Sequence, residues 1–209
     1  MVRIKFCGLT DKYSAMAAVE AGADSIGCVF AASKRKVTPE QAKEIIESLP
    51  PYVSTVGVFV DETLDRINEI AEYCQLDLLQ LHGSETPEYC RQIKRPVVKT
   101  IKVRKASDLD QAAAYKQVVR GFLLDAYVEG ASGGTGHTFP WEHVAKAQGM
   151  SPIILAGGLR ADNVKEAIFK TRPYAVDVSS GIETDGFKDP RKMIEFVQRV
   201  RNVSFFAQS

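Results

Sequence analysis

Cys7 and Asp125 are placed as a proton-transfer pair. Cys7 closes the alternating run Val2–Phe6, and Asp125 follows the apolar run Val118–Leu124. A thiol and a carboxyl have different ordinary pKa values, so one can accept a proton while the other delivers one. Each residue also has a structural reading. A cysteine taken alone is more often a small buried apolar residue, and an aspartate after a strand often caps a helix or holds a loop ion pair. The position at a strand end favours chemistry for Cys7. For Asp125, an unpaired carboxylate directly after an apolar strand would be costly without a purpose.

A second pattern suggests an anion site. Ile153–Ala156 breaks into Gly157-Gly158, and Ala175–Val178 breaks into Ser179-Ser180-Gly181. Glycines after a strand let backbone N–H groups approach an anion, and a following helix adds its free N–H groups and dipole. One such ending reads as an ordinary turn; two in succession late in a repeating chain read as a phosphate cradle. Three further side chains are candidates. Arg35, in Ser33-Lys34-Arg35-Lys36, matches a carboxylate in bidentate geometry, although the basic run alone reads as a solvated loop. His82 orients a substrate group or is a satisfied structural histidine, with neither reading favoured. Asp177 bonds a sugar hydroxyl or holds a loop.

The elements that must position these residues alternate. Strands are predicted at Val2–Phe6, Ser25–Phe30, Val53–Val60, Leu76–Leu81, Val97–Ile101, Val118–Leu124, Ile153–Ala156 and Ala175–Val178, from short apolar or alternating runs. Helices fall between them. One runs from Thr10 or Asp11 to the stop at Gly22, and another opens at Thr38-Pro39-Glu40-Gln41 with cap, N1 proline and N3 glutamine. Others cover Leu64–Ala71, Thr86–Ile93, Ser107–Tyr115, Phe139-Pro140-Trp141 to Ala147, Asp162 or Asn163 to Lys170, and Asp189-Pro190 to Val200. Strict βα alternation requires parallel strands and crossover helices, and eight units predict an α/β single-domain (β/α)8 TIM barrel over residues 1–209. A doubly wound open sheet is the alternative, but its Gly-rich fingerprint is replaced by Cys7-Gly8-Leu9-Thr10 after the first strand. In a barrel the active site lies where strands end, and the candidate residues stand there. The Gly-rich segment Ala126–Thr138 is long enough to be functional, and the tail 204–209 is expected to fray.

Composition excludes several classes. Lys and Arg number 27 against 26 Asp and Glu, a net charge of +1, which is not the basic footprint of a nucleic-acid binder. No run approaches a membrane span, and Met1–Thr10 does not read as a signal peptide, so a cytoplasmic protein is expected. Cys7, Cys28, Cys74 and Cys90 form no CxxC pair, and Cys28, Cys74 and Cys90 read as core. His82, His137 and His143 lack metal-ligand spacing, so neither a metal nor another cofactor is expected. No surface stripe suggests an obligate interface, and a monomer is predicted.

In this order, the motifs resemble the phosphoribosylanthranilate isomerase family of tryptophan biosynthesis. The matching stretches are Lys5–Thr10, Phe30–Ser33 with Arg35, Gln80–Gly83, Leu123–Asp125, Gly133–Gly136, Leu155–Leu159 and Asp177–Glu183, from the first strand to the last. The resemblance implies a small-molecule phosphosugar substrate and an Amadori rearrangement of N-(5-phosphoribosyl)anthranilate. It implies Asp125 as general acid on the ring oxygen, Cys7 as general base at C2, and Arg35 on the anthranilate carboxylate. Backbone groups of Gly157, Gly158, Ser180 and Gly181 would hold the phosphate. A thiolate base calls for a lowered Cys7 pKa, as a nearby cation or helix N-terminus provides. Two positions depart from the family pattern: Pro140 replaces an acidic or amide residue, and Phe6 replaces an isoleucine, both without consequence for the acid–base pair. A related histidine-pathway isomerase would carry Asp where Cys7 stands. A metal-dependent pentose-phosphate epimerase would need two His and two Asp ligands. A non-catalytic phosphate-binding protein would not need the Cys7–Asp125 pair.

Overall fold

The computed structural model describes residues 1–125, 141–147 and 152–203. Eight parallel strands form a closed barrel in sequence order. They are β1 (Arg3–Cys7), β2 (Ser25–Val29), β3 (Ser54–Phe59), β4 (Leu78–Leu81), β5 (Val97–Lys102), β6 (Gly121–Asp125), β7 (Ile153–Ala156) and β8 (Ala175–Val178). Pairing of β8 with β1, from Arg3↔Ala175 to Phe6↔Val178, closes the ring. The outer layer is α1 (Lys12–Ala21), α2 (Pro39–Glu47), α3 (Leu64–Tyr73), α4 (Pro87–Arg91), α5 (Ala112–Tyr115), α6 (Trp141–Ala145), α7 (Val164–Thr171) and α8 (Pro190–Arg201). The (β/α)8 barrel is therefore the fold of this chain.

Local chemistry explains the helix starts. Asp11 caps α1 by accepting from Ser14 N at 2.8 Å. Thr38 and Gln41 form a reciprocal capping box ahead of Pro39. Thr86 accepts from Tyr89 N at 3.2 Å. Strand side chains then alternate between two cores. Outward residues such as Ile4, Phe6, Ile26, Leu79, Leu81, Phe122 and Val176 pack with helix residues such as Ala18, Ile45, Ile67, Ile168 and Phe196. Phe6 is fully buried and meets Phe196 edge-on, 6.0 Å between ring centres. Inward, Val98, Leu123 and Ala156 make a smaller apolar cluster with Leu78 and Ile154. Cys28, Cys74 and Cys90 are buried, as expected of core positions.

Several boundaries differ from the sequence reading. β4 begins at Leu78 rather than Leu76, because Gln75 (φ 53°) turns left-handed and Leu76 N returns to Ala71 O at 2.9 Å. β6 begins at Gly121 rather than Val118, because the Val118 and Val119 amides donate to Tyr115 O at 2.8 and 3.1 Å. The segment predicted as a helix over Ser107–Tyr115 is a 3-10 turn, Ala106–Gln111, followed by α5; Asp108 holds its start by accepting from Arg104 N and Lys105 N. A 3-10 turn over Ser180–Ile182 and a two-stranded hairpin, β9 (Glu183–Thr184) and β10 (Phe187–Lys188), stand between β8 and α8. The hairpin turns at Asp185-Gly186, both with positive φ, as a two-residue primed turn requires. The loop 126–138, Pro140 and the tail 204–209 lie outside the described residues.

Candidate active site

At the C-terminal ends of the strands lies a cleft of about 430 Å³. Cys7, Arg35, His82, Asp125, Gly157, Gly158, Asp177 and Ser180 all line it. They come from six strand ends spread along the sequence, so only barrel closure brings them together. Gly181 does not line the cleft. A side chain there would strike the Leu159 carbonyl, so its missing Cβ lets the 3-10 turn pass against the loop after β7.

Cys7 ends β1 with its backbone fixed from two sides. Its carbonyl accepts from Ser179 Oγ at 2.9 Å and from Lys188 Nζ at 2.8 Å. Its side chain lies over Gly27 of β2, where a Cβ would stand 3.1 Å from Sγ. Burial pushes the Cys7 thiol up, while the Lys5 ammonium beside it pulls the other way. The net shift is upward, opposite to the lowered value that sequence reasoning predicts, because position 7 is buried rather than partly exposed. Lys5 faces the lumen two residues earlier. It bonds Asp177 Oδ2 and Gln80 Oε1, both at 2.9 Å. Burial works to discharge it, but the charges of Asp177 and Cys7 outweigh burial and hold its pKa above the ordinary lysine value.

Asp125 ends β6, three strand positions round the ring from Cys7. Its Oδ2 lies 3.5 Å from His82 Nε2. His82 Nδ1 faces Gln80 Nε2 at 3.2 Å and Thr100 Oγ1 at 3.3 Å. The loop that carries His82 is pinned from below by Glu85, which accepts from Gly83 N and Asp61 N and pairs with buried Lys99 at 2.8 Å.

Arg35 is neither a solvated loop residue nor unpaired. Glu183 takes one edge of its guanidinium, Nε to Oε1 at 2.6 Å and Nη2 to Oε2 at 2.8 Å. Those two bonds use Nε and Nη2, and Arg35 also lines the cleft. Lys188 Nζ reaches the same Glu183 at 3.0 Å. Burial alone would raise Glu183, yet the bonds from Arg35 and Lys188 hold its carboxyl down to about 2. Also lining the cleft, Gly157 (φ 94°) and Gly158 (φ 62°) adopt conformations that other residues rarely reach. Asn163 fixes that turn, Nδ2 to Gly158 O at 3.0 Å. Ser180 opens the facing 3-10 turn. Such an arrangement puts a guanidinium, a glycine-rich turn suited to an anion, a thiol and a carboxyl in the lining of one cleft.

Comparison with known proteins is consistent with this geometry. Residues 4–199 match the family model for N-(5'-phosphoribosyl)anthranilate (PRA) isomerase. This chain belongs to the PRA isomerase family. A PRA isomerase of Moorella thermoacetica is 52% identical over 202 residues, covering 96% of this chain and 90% of the relative. The crystal structure of phosphoribosyl anthranilate isomerase from Thermotoga maritima superposes with a TM-score of 0.89 at 41% identity, over 96% of this chain and 99% of that one. A further PRA isomerase structure, in complex with reduced 1-(o-carboxyphenylamino)-1-deoxyribulose 5-phosphate, gives 0.86 at 39% identity, with 96% and 99% coverage.

In this PRA isomerase, four site residues went unassigned from sequence: Lys5, Gln80, Glu183 and Lys188. Lys5 and Gln80 had a usable signal. Each lies two residues before a candidate, Cys7 and His82, and so shares its strand face. Glu183 and Lys188 flank the Asp-Gly turn of a hairpin that the alternating pattern does not contain.

Proposed function

We propose that Cys7 is the general base and Asp125 the general acid of the Amadori rearrangement that this PRA isomerase family member catalyses in tryptophan biosynthesis. The supporting observation is that both groups line one cleft, together with the Arg35 guanidinium and the glycine-rich turn after β7. Asp125 protonates the furanose ring oxygen, and the C1–O bond breaks to give an open-chain Schiff base. The Cys7 thiolate removes the C2 proton, and the electron pair moves toward the imine nitrogen to form the enolamine. The enol then gives up its hydroxyl proton and C1 gains one, leaving 1-(2-carboxyphenylamino)-1-deoxyribulose 5-phosphate. No atom is gained or lost.

Arg35 binds the anthranilate carboxylate. Backbone N–H groups of Gly157, Gly158 and Ser180 hold the phosphate, with Gly181 securing the turn behind them. His82 acts on the acid side, next to Asp125. Asp177 acts through Lys5. The substrate is a small phosphosugar. The 1–209 chain is read as one barrel domain working as a cytoplasmic monomer without nucleic-acid or membrane partners; its net charge of +1 supports the absence of a nucleic-acid partner. Among the described residues no helix is long and apolar enough to cross a membrane.

Asp125→Asn is the test of the acid. It is expected to lower kcat by roughly 10²–10⁴-fold with little change in KM. A variant that only raises KM would contradict the role. Arg35→Ala is expected to act mainly on KM, and an unchanged KM would reject the carboxylate contact.

A further inference from the structure

The two halves of the proposed acid–base pair are joined by a run of side chains from the lumen to the cleft lining, Lys5, Gln80 and His82. From the base side, the Lys5 ammonium and the Cys7 sulfur stand together over Gly27, 3.2 and 3.1 Å from where a Cβ there would lie. The ammonium continues to Gln80 Oε1 at 2.9 Å. Gln80 Nε2 then faces His82 Nδ1 at 3.2 Å, and His82 Nε2 faces Asp125 Oδ2 at 3.5 Å. Each donor–acceptor direction along this path can be assigned. A lysine ammonium only donates, so the Gln80 carbonyl oxygen must face it. The Gln80 amide nitrogen, also only a donor, is then turned toward His82. His82 Nδ1 must therefore accept, and the ring proton sits on Nε2, the nitrogen 3.5 Å from Asp125. A proton on Nδ1 would set donor against donor. Thr100 Oγ1, at 3.3 Å from the same nitrogen, can donate to it as well.

We infer that Gln80 is a positioning residue that fixes the His82 tautomer, so that a Nε2–H donor holds the Asp125 carboxyl in place while the same amide holds Lys5 under Cys7. This rests on the reading of Cys7 and Asp125 as base and acid. The location argues for a functional purpose. A barrel lumen is ordinarily filled by branched apolar side chains, and this one has such a layer in Val98, Leu123 and Ala156. Beside that layer, Lys5 and Asp177 form an ion pair with side chains 6% and 8% exposed. A pair so buried is often no more stabilising than apolar residues of the same volume. Gln80, 3% exposed, satisfies the lysine across the lumen from β4 to β1. The crossing carries a cost, since the second oxygen of buried Asp177 finds no hydrogen-bond partner among the described residues, and its fixed polarity is what it can supply to the acid side.

His82 also faces the cleft, so its proton position matters during the reaction. When Asp125 has given its proton away, a Nε2–H donor 3.5 Å away stabilises the carboxylate. A bare Nε2 would instead oppose it lone pair to lone pair.

The test reads the tautomer directly, on the full-length protein with ¹⁵N-labelled histidine. His82 is assigned by comparison with a His82→Asn sample. Long-range ¹H–¹⁵N spectra are expected to show wild-type His82 protonated at Nε2 and bare at Nδ1. Gln80→Glu keeps an acceptor for Lys5 but turns an acceptor toward Nδ1, so that nitrogen is expected to gain a proton. In the same variant kcat should fall roughly 10–100-fold, with KM little changed. Wild-type His82 bare at Nε2 would overturn the inference, and this measurement decides even if Gln80→Glu does not fold. A Gln80→Glu protein with an unaltered His82 signature would also overturn it. Full activity of Asp125→Asn would instead overturn the acid assignment, without touching the tautomer result.

Discussion

A buried thiol is a poor base until a cation compensates for its burial, and at Cys7 that cation is Lys5. Burial raises the thiol pKa and the Lys5 ammonium opposes the rise. In the proposed mechanism the thiolate is the base, so the acid limb of kcat/KM against pH follows the thiol. Removing the cation must move that limb to higher pH. Lys5→Met is therefore expected to shift the limb upward, together with the pH at which thiolate absorbance appears; an unshifted limb would show that Lys5 is not the compensating charge. Glu183 does the equivalent for Arg35, holding its guanidinium through Nε and Nη2. Glu183→Gln is expected to raise KM about tenfold, which corresponds to ~1.4 kcal/mol, with a smaller effect on kcat. Steady-state kinetics with the carboxylate-bearing substrate would check this, and an unchanged KM would count against the clamp. The sequence marks Arg35 but not its partner, because a side chain's pairing across 148 positions leaves no local pattern.

Elements set where those side chains go, and the glycines of adjacent strands separate function from stability. Gly27 on β2 faces the lumen, where an added Cβ would meet Cys7 Sγ and Lys5 Cε at 3.1 Å and Lys5 Nζ at 3.2 Å. Gly57 on β3 faces outward, where a Cβ would stand 2.6 Å from Leu76 Cδ1 and 2.7 Å from Phe59 Cε2. Gly27→Ala is expected to retain the fold, by circular dichroism and melting temperature, while lowering kcat by displacing the thiol. Gly57→Ala is expected to lose about 1–3 kcal/mol of stability through overpacking, with kcat of the folded fraction unchanged. Equal loss of stability in both would contradict this division. The strand–helix order was legible because apolar runs, caps and N1 prolines sit at regular intervals: Thr38-Pro39 and Thr86-Pro87 start helices where the sequence says they should. The hairpin β9–β10 was not, although Asp185-Gly186 is a strong turn signal; its strands are two residues each and carry no periodicity. Segments with marginal propensity failed in the same way, as over Ala106–Tyr115, where side-chain bonds from Asp108 favour a 3-10 turn.

Across the whole molecule, closure of the ring turns a linear series of weak motifs into one site. α8 takes part in that closure: Arg201 donates to Val2 O at 2.9 Å and Gly22 O at 3.2 Å, and pairs with Asp24 at 3.0 Å. Arg201→Ala leaves those groups unsatisfied and is expected to cost about 1–3 kcal/mol in chemical denaturation, without changing KM. Glu183 couples the loop after β2 to the β9–β10 hairpin, and its depressed pKa gives a signed prediction. The folded carboxyl titrates near 2 against an ordinary value of 4.5, so its contribution to stability is complete above 4.5 and is lost as pH falls from there through 2. Over that window the wild type should lose stability relative to Glu183→Gln, as read by urea denaturation at each pH. Parallel curves would contradict it. At this scale the barrel was readable from eight strand–helix units, while the polar crossing of Lys5, Gln80 and Asp177 was not. That crossing joins β1, β4 and β8 and exists only once the ring is closed.

The most direct test of the central claim is the loss of anthranilate-type fluorescence when freshly prepared N-(5-phosphoribosyl)anthranilate meets the purified protein, with chelator present, followed in parallel for Cys7→Ala. Rapid loss with the wild type, and none above the spontaneous rate with a folded Cys7→Ala, is the predicted result. Equal rates for the two proteins, or no loss with either, would contradict it.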